Sequence, residues 1–219
     1  MTTYEIEQIQ KAFIDTLYLL LITGIFLTVI GLMLGFLLYF TRPDERKDKP
    51  KMVHVIHFVL GGVIDISRSI PFIILMIMLI PVTVIIMGTM LGRDAALPAL
   101  VISASPFYAR VVFNALKDIP HGTHEALESM GASKRVITRT LLKEALPSLI
   151  SGLTVAMVSL VGFIAAAGAV GAGGLGDLAR RRALVMDYDV MYVAVGLLLV
   201  IVLVIQFLGD FISKKVDHR

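Results

Sequence analysis

Long apolar stretches without charge alternate with short charged segments along this chain. Uncharged stretches run from 16 to 41, 69 to 92, 145 to 176 and 190 to 209, and each reaches the roughly 20 residues that a helix needs to cross a bilayer. Residues 52–64 are also apolar and are followed by Asp65 and Arg68, and residues 95–116 carry Arg110 near one end. The pattern predicts one all-α membrane domain over 1–219, with five spans at about 16–41, 52–80, 95–116, 148–170 and 190–209.

Composition supports the membrane prediction, because 57% of the residues are hydrophobic and only 17% are charged. A soluble domain of this length does not need that much apolar surface. The absence of cysteine excludes disulfides and thiolate metal sites. The net charge of +3 is interpreted as basic loops beside anionic membrane lipid, and no nucleic-acid partner is predicted.

Basic residues predict the orientation of the spans. They concentrate after the first, third and fifth spans, and the positive-inside rule places those segments in the cytoplasm. The amino terminus is therefore expected outside and the carboxyl terminus inside. The run from Arg180 to Arg182 departs from this trend and is interpreted as an exposed loop that faces lipid phosphates or an acidic partner surface.

A polar segment at 117–147 separates the third and fourth spans. Its part from Glu125 to Pro147 reads EALESMGASKRVITRTLLKEALP, which cannot lie in hydrocarbon and is available to a soluble partner. This segment resembles the cytoplasmic loop of permease subunits in binding-protein-dependent ABC importers. The resemblance implies that a separate ATPase docks here, at the following residues: Glu125, Ala126, Leu127, Met130, Gly131 and Ala132.

Patterns that would indicate catalysis or cofactor binding are weak. The chain has no GxxxxGK[ST] phosphate loop, so no ATP binding by that route is expected and the chain is predicted not to be an enzyme. His54 and His57 share a helical face, but without a third ligand no metal site is predicted. The glycine-rich stretch GAVGAGGLG at 168–176 follows an apolar helix and not a strand, so it predicts close helix packing or a hinge at a helix end rather than a nucleotide site.

Two arginines at membrane depth indicate a candidate translocation path. Ionisable groups within spans usually face a bundle interior or water, and Arg68 and Arg110 each lie near serines and a proline. The alternative is structural, with Arg68 paired to Asp65 and Arg110 extended to the inner headgroups. The path hypothesis adds a helical stripe on the fourth span and comprises Arg68, Ser69, Ser103, Ser105, Arg110, Met157 and Ile164.

Most of the chain resembles the permeases of bacterial methionine importers. The agreement lies in the five spans, in RSIPFIIL from Arg68, in ASPFYAR up to Arg110, and in GAVGAGGLG. The resemblance implies the type I ABC importer permease fold, import of L- and D-methionine, and location in the bacterial inner membrane. It also implies a homodimer of this chain above two ATP-binding cassette subunits, fed by an external substrate-binding lipoprotein.

Alternatives remain open from the sequence. Permeases for glycine betaine and related quaternary amines share a similar glycine-rich stretch. A secondary transporter would need buried carboxylates, and Asp65 is the only clear acid within a span. A purely structural membrane subunit would not need a docking segment.

Overall fold

The computed structural model describes residues 2–43, 50–120, 122, 126, 127 and 129–217, with the side chains of Lys134 and Thr138 excepted. This part of the chain is helical and contains no strand. Its helices are α1 (Thr3–Thr41), α2 (Lys51–Ser69), α3 (Phe72–Met78), α4 (Ile80–Met87), α5 (Arg93–Lys117), α6 (Lys134–Gly168), α7 (Gly174–Leu184) and α8 (Tyr188–Val216). Five of the described helices, α1, α2, α5, α6 and α8, are long and apolar enough to cross a membrane, which confirms the predicted number of spans.

The helices extend beyond the predicted spans. α1 begins at Thr3, well before residue 16, because Thr2 and Glu5 form a capping box that satisfies free backbone N–H groups. α6 begins at Lys134 and continues through Pro147, so the second half of the predicted polar segment belongs to the same helix as the fourth span. The Pro147 carbonyl oxygen accepts a hydrogen bond from Ser213 Oγ at 3.2 Å.

The predicted second span from 52 to 80 is not one continuous helix. α2 ends at Ser69, and Ile70 is extended, with φ −82° and ψ 128°. The residue before a proline disfavours helical backbone, so Pro71 explains the break and then begins the short helix α3. Phe72 stacks on Phe163 at a centroid distance of 4.4 Å, which places α3 beside the second half of α6.

α5 is the central helix and packs closely on α1. Gly31 and Gly35 of α1 are both buried. A Cβ atom on Gly31 would lie 2.7 Å from Tyr108 Cδ1, and one on Gly35 would lie 2.7 Å from the Ala109 carbonyl oxygen. Small residues four apart let two membrane helices approach at backbone distance, and this GxxxG pair does so here.

α5 also packs on α6, and Tyr108 contacts both α1 and α6. The Tyr108 hydroxyl donates to the Leu149 carbonyl oxygen at 3.3 Å, and Val111 fills the space above Gly152. α6 in turn contacts α8, where Gly209 packs on Thr154 and Ser151 Oγ lies 2.8 Å from Ser213 Oγ. The core therefore lies mainly between α1, α5 and α6, while much of α2 and α8 stays exposed and apolar.

One end of the bundle, called the Asp15 end, is held by a set of polar contacts. Asp15 pairs with Arg93 at 2.8 Å, and the Arg93 guanidinium also lies over the Tyr18 ring. The buried Thr16 hydroxyl accepts a hydrogen bond from the backbone N–H of Leu175 at 2.8 Å. These contacts join the first half of α1 to the starts of α5 and α7. Residues 126, 127 and 129–132 lie at the opposite end, called the Gly131 end.

Candidate functional site

A tight turn at Gly131 separates a helical segment from α6. Residues 126, 127 and 129 are helical, and Gly131 has a left-handed φ of 71°. The Ala132 N–H donates to the Leu127 carbonyl oxygen at 3.0 Å, and the Met130 N–H donates to the Ala126 carbonyl oxygen at 3.1 Å. The bond from Ala132 to Leu127 is the long bond of a Schellman motif, which ends helices with glycine at this position.

The side chains of this turn point in two directions. Leu127 and Ala132 are half-buried and pack against the main core, whereas Met130 is 73% exposed and Ala126 is exposed. The inner side thus anchors the turn to the bundle, and the outer side presents an apolar methionine. Glu125, the first predicted docking residue, lies outside the described residues.

The α6 helix starts directly after this turn. Ser133 is its N-cap, and the Ser133 hydroxyl accepts a hydrogen bond from the Val136 N–H at 3.4 Å. Because α6 is continuous from Lys134 into the fourth span, a displacement of the turn would be carried along this helix into the membrane region.

A second polar feature combines Asp65 and Arg68 of α2 with Arg110 of α5. Arg68 Nη1 lies 3.9 Å from Asp65 Oδ1, and Arg110 Nη2 lies 3.6 Å from Asp65 Oδ2. The predicted pairing of Arg68 with Asp65 is present, but Asp65 is shared with Arg110, which sequence reasoning did not foresee. The neighbouring Ser69 is exposed, and its hydroxyl donates to the Asp65 carbonyl oxygen at 2.8 Å.

The other predicted path residues lie apart from this cluster. Ser103 and Ser105 are buried within α5, where Ser105 Oγ donates to the Val101 carbonyl oxygen at 2.7 Å. Met157 packs against Gly24 of α1. Ile164 is 1% exposed and belongs to the main core. The stripe through Met157 and Ile164 thus faces the interior of this subunit, which does not fit the predicted position on a water-filled path.

The remaining sequence candidates have structural explanations. His57 Nδ1 lies 3.1 Å from the Leu38 carbonyl oxygen, and His54 Nδ1 lies 3.4 Å from the Pro50 carbonyl oxygen. The part of the chain that the structure describes holds no group of three or more His, Cys, Asp or Glu that could bind a metal.

The glycine-rich stretch forms the turn between α6 and α7. Gly171, Gly173 and Gly174 have positive φ, and Gly92 donates a backbone hydrogen bond to the Gly171 carbonyl oxygen at 3.0 Å. A Cβ on Gly174 would lie 2.8 Å from the Thr16 hydroxyl oxygen. Glycine is needed here for backbone conformation and close packing, in agreement with the packing interpretation.

Arg180, Arg181 and Arg182 do not form a loop, which corrects that part of the expectation, whereas Arg180 and Arg181 are exposed as expected. They lie in α7, where Arg180 and Arg181 pair with Asp177. Arg182 pairs with Asp187 at 2.6 Å and donates to the Gln8 side chain at 2.6 Å. Their charges are largely offset within the subunit.

The sequence of this chain is similar to those of known membrane transport proteins. Residues 53–219 match the family described as binding-protein-dependent transport system inner membrane component. The probable D-methionine transport system permease protein MetI of Haemophilus influenzae is 42% identical over 207 residues, covering 94% of this chain and 95% of the relative. The methionine import system permease protein MetP of Bacillus subtilis is 43% identical over 166 residues, covering 75% of each chain.

A solved structure gives the same result at the level of the fold. The MetNI methionine ABC transporter in inward-facing conformations contains a chain that superposes with a TM-score of 0.91 at 40% identity, over all of both chains. The chain belongs to the binding-protein-dependent transport system inner membrane component family. With its five apolar helices, it is a multi-pass inner-membrane protein with the type I ABC importer permease fold.

Proposed function

We propose that this chain is the permease subunit of an ATP-driven importer of methionine, in both its L and D forms. The observation that carries the proposal is the match over the full chain to a subunit of a methionine ABC transporter, at 40% identity and a TM-score of 0.91. Relatives named as methionine permeases, at 42% and 43% identity, support the same cargo.

The proposed assembly is a homodimer of this chain with two copies of an ATP-binding cassette subunit and an external substrate-binding lipoprotein. This chain has no GxxxxGK[ST] phosphate loop, so ATP hydrolysis is assigned to the partner. Apolar surface on α2 and α8 leaves room for a second copy and for lipid, since large exposed apolar faces are stable only when covered.

The proposed orientation puts the Gly131 end in the cytoplasm and the Asp15 end outside. The distribution of basic residues supports it. The arginines of α7, which depart from the positive-inside trend, are paired with Asp177 and Asp187, and this pairing reduces the excess positive charge at the Asp15 end.

Residues 125–132 are the proposed ATPase-docking element. Met130 is the contact that the geometry supports best, because its exposed thioether chain can fill an apolar groove while Leu127 and Ala132 hold the turn on the bundle. ATP binding would favour one of two packings of the spans through its different affinity for each, and the turn would pass that preference to α6.

Met130→Lys is expected to weaken the association with the ATPase at least tenfold. A charge at the centre of an apolar contact loses its hydration without gaining a partner, which costs free energy. Residues packed at the centre of an interface are also the ones whose loss weakens binding most. Co-expression with the ATPase, followed by detergent purification on a tag carried by this chain, measures the amount of ATPase recovered.

Met130→Leu should keep the complex, since leucine has a similar volume. Met186→Lys is the matched control, because Met186 is 75% exposed in the turn between α7 and α8 at the Asp15 end. Full ATPase recovery with Met130→Lys would contradict the proposed docking contact. No recovery with the unaltered chain would contradict the importer proposal itself.

A further inference from the structure

We propose that Asp65, Arg68 and Arg110, the charged cluster, bind the two charged ends of an amino-acid cargo during its passage. The arginines would take the carboxylate, and Asp65 would take the ammonium group. This inference rests on the proposed function and adds to it a site within the spans and the chemistry by which that site recognises cargo.

The cluster has unused hydrogen-bonding capacity. Charge-assisted N–H···O bonds in proteins measure about 2.7–2.9 Å, whereas Asp65 lies 3.9 Å from Arg68 and 3.6 Å from Arg110. Within the described residues, neither guanidinium makes a closer polar contact. The loose pairing leaves N–H donors free for another acceptor.

Aromatic rings support both guanidinium groups without using their donors. The Arg68 guanidinium carbon lies 5.8 Å from the centroid of the Phe107 ring, and that of Arg110 lies 5.2 Å from the centroid of the Phe113 ring. Attraction between a cation and a ring face restrains a guanidinium while its N–H groups stay available in its plane. Both rings belong to α5, so the two arginines are held beside the same helix.

Charge in the cluster is unbalanced at a depth where imbalance is costly. Two arginines face one carboxylate, and all three side chains are partly exposed, at 35% for Arg68, 31% for Arg110 and 51% for Asp65. An incoming carboxylate would offset the excess positive charge. Charged residues of either sign are absent from 16–41 of α1 and from 145–168 of α6, so cargo crossing beside these helices meets ionised groups mainly at the cluster.

The cluster also distinguishes between classes of cargo. A primary ammonium group can donate hydrogen bonds to Asp65, but a quaternary amine has no N–H and can offer only its charge. The fork of an arginine matches a carboxylate in two bonds, so a cargo without a carboxylate loses the stronger contact. An α-amino acid satisfies both halves of the cluster, and this favours it over quaternary amines such as glycine betaine.

The test is competition binding to the complete complex of this chain with its ATPase in nanodiscs, without the binding protein. Radiolabelled methionine is displaced by unlabelled methionine or by methioninol, in which an alcohol replaces the carboxylate. The unaltered complex is expected to prefer methionine about tenfold, which is the usual worth of a hydrogen bond to a charged group. Arg110→Gln should remove that preference, and Arg110→Lys should keep part of it.

Arg181→Gln serves as the control, because Arg181 is an exposed arginine paired with Asp177 at the Asp15 end, away from the cluster. An Arg110→Gln complex that still prefers methionine over methioninol as strongly as the unaltered complex would overturn the inference. An unaltered complex that binds no methionine, or binds both ligands equally, would overturn it too. If the Arg110→Gln chain does not assemble with the ATPase, the Arg68→Gln complex is tested instead, with the same expected and contradicting results.

ATP-driven uptake by the unaltered complex with its binding protein, measured in parallel, separates the two proposals. If the complex takes up methionine but shows no carboxylate preference in the nanodisc binding assay, the importer proposal stands and the proposed cargo site is contradicted. Absence of uptake would remove the importer proposal.

Discussion

Gly35→Leu is expected to destabilise the folded subunit by about 3 kcal/mol or more, the upper part of the range for overpacking. A Cβ on Gly35 would lie 2.7 Å from the Ala109 carbonyl oxygen, and this atom belongs to the backbone of α5, so it cannot rotate away. The two helices would have to separate along their whole contact. The effect is measured as a large fall in the apparent melting temperature. That temperature is obtained in detergent from the loss of the monodisperse gel-filtration peak on heating.

Gly196→Leu is the matched control for Gly35→Leu. Gly196 also lies within a spanning helix, α8, but a Cβ there would meet no atom within 4 Å. Both changes add the same side chain and gain the same helix propensity over glycine. A melting temperature that falls equally in both variants would show that the α1–α5 contact is not the cause.

Gly131→Leu is expected to lower methionine uptake about tenfold while ATPase activity continues. Its φ of 71° is left-handed, and a non-glycine residue in that conformation costs roughly 1–2 kcal/mol. A Cβ at this position meets no atom within 4 Å, so the cost comes from the backbone and not from a clash. Distortion of the turn would move Met130 away from its proposed contact, and hydrolysis would no longer drive transport. Uptake and ATP hydrolysis are measured in the same proteoliposomes.

Two controls separate coupling from stability at Gly131. Gly131→Asn should retain most uptake, because asparagine tolerates left-handed backbone better than other residues. Gly88→Leu introduces the same strain elsewhere, since Gly88 has a φ of 72° and also meets no atom within 4 Å. Equal loss of uptake in Gly88→Leu and Gly131→Leu would argue for a general loss of stability and against a coupling role.

The number of spans could be predicted from the sequence because hydrocarbon imposes one simple requirement, a long apolar stretch in which every backbone group is paired. Helix ends were less predictable. α6 runs through Pro147 into the polar segment, since a helix needs no apolar side chains once it leaves the bilayer. The break at Ile70 had a local signal in Pro71, but a proline in a membrane helix can also be accommodated as a bend.

The direction in which side chains of a spanning helix point was the least predictable property from the sequence. Spacing places Met157 and Ile164 on one stripe of α6, but it does not say whether that stripe faces a second subunit or the helices of its own chain. In the structure Ile164 is buried in its own core. Gly31 and Gly35 differ, because their GxxxG spacing was visible in the sequence and indicates a close-packing face of α1, although it does not identify α5 as the partner.

Ion pairs within one helix could be predicted from the sequence, whereas ion pairs between elements could not. Arg68 and Asp65 are three apart on one helix, so their contact follows from local geometry. The contact of Asp65 with Arg110 joins two helices and depends on tertiary packing. The pairing of Arg182 with Asp187 crosses the turn between α7 and α8, and no periodic pattern signals it.

This subunit is expected to form an ATP-driven methionine importer only together with its partners. The most direct measurement is uptake of radiolabelled methionine into proteoliposomes that contain the purified chain alone, or the chain with its ATPase, binding protein and ATP. Saturable uptake is expected only with the complete set, and none when ATP is replaced by ADP. Saturable, gradient-driven uptake by the chain alone would contradict ATP-driven import and would identify the protein as a secondary transporter.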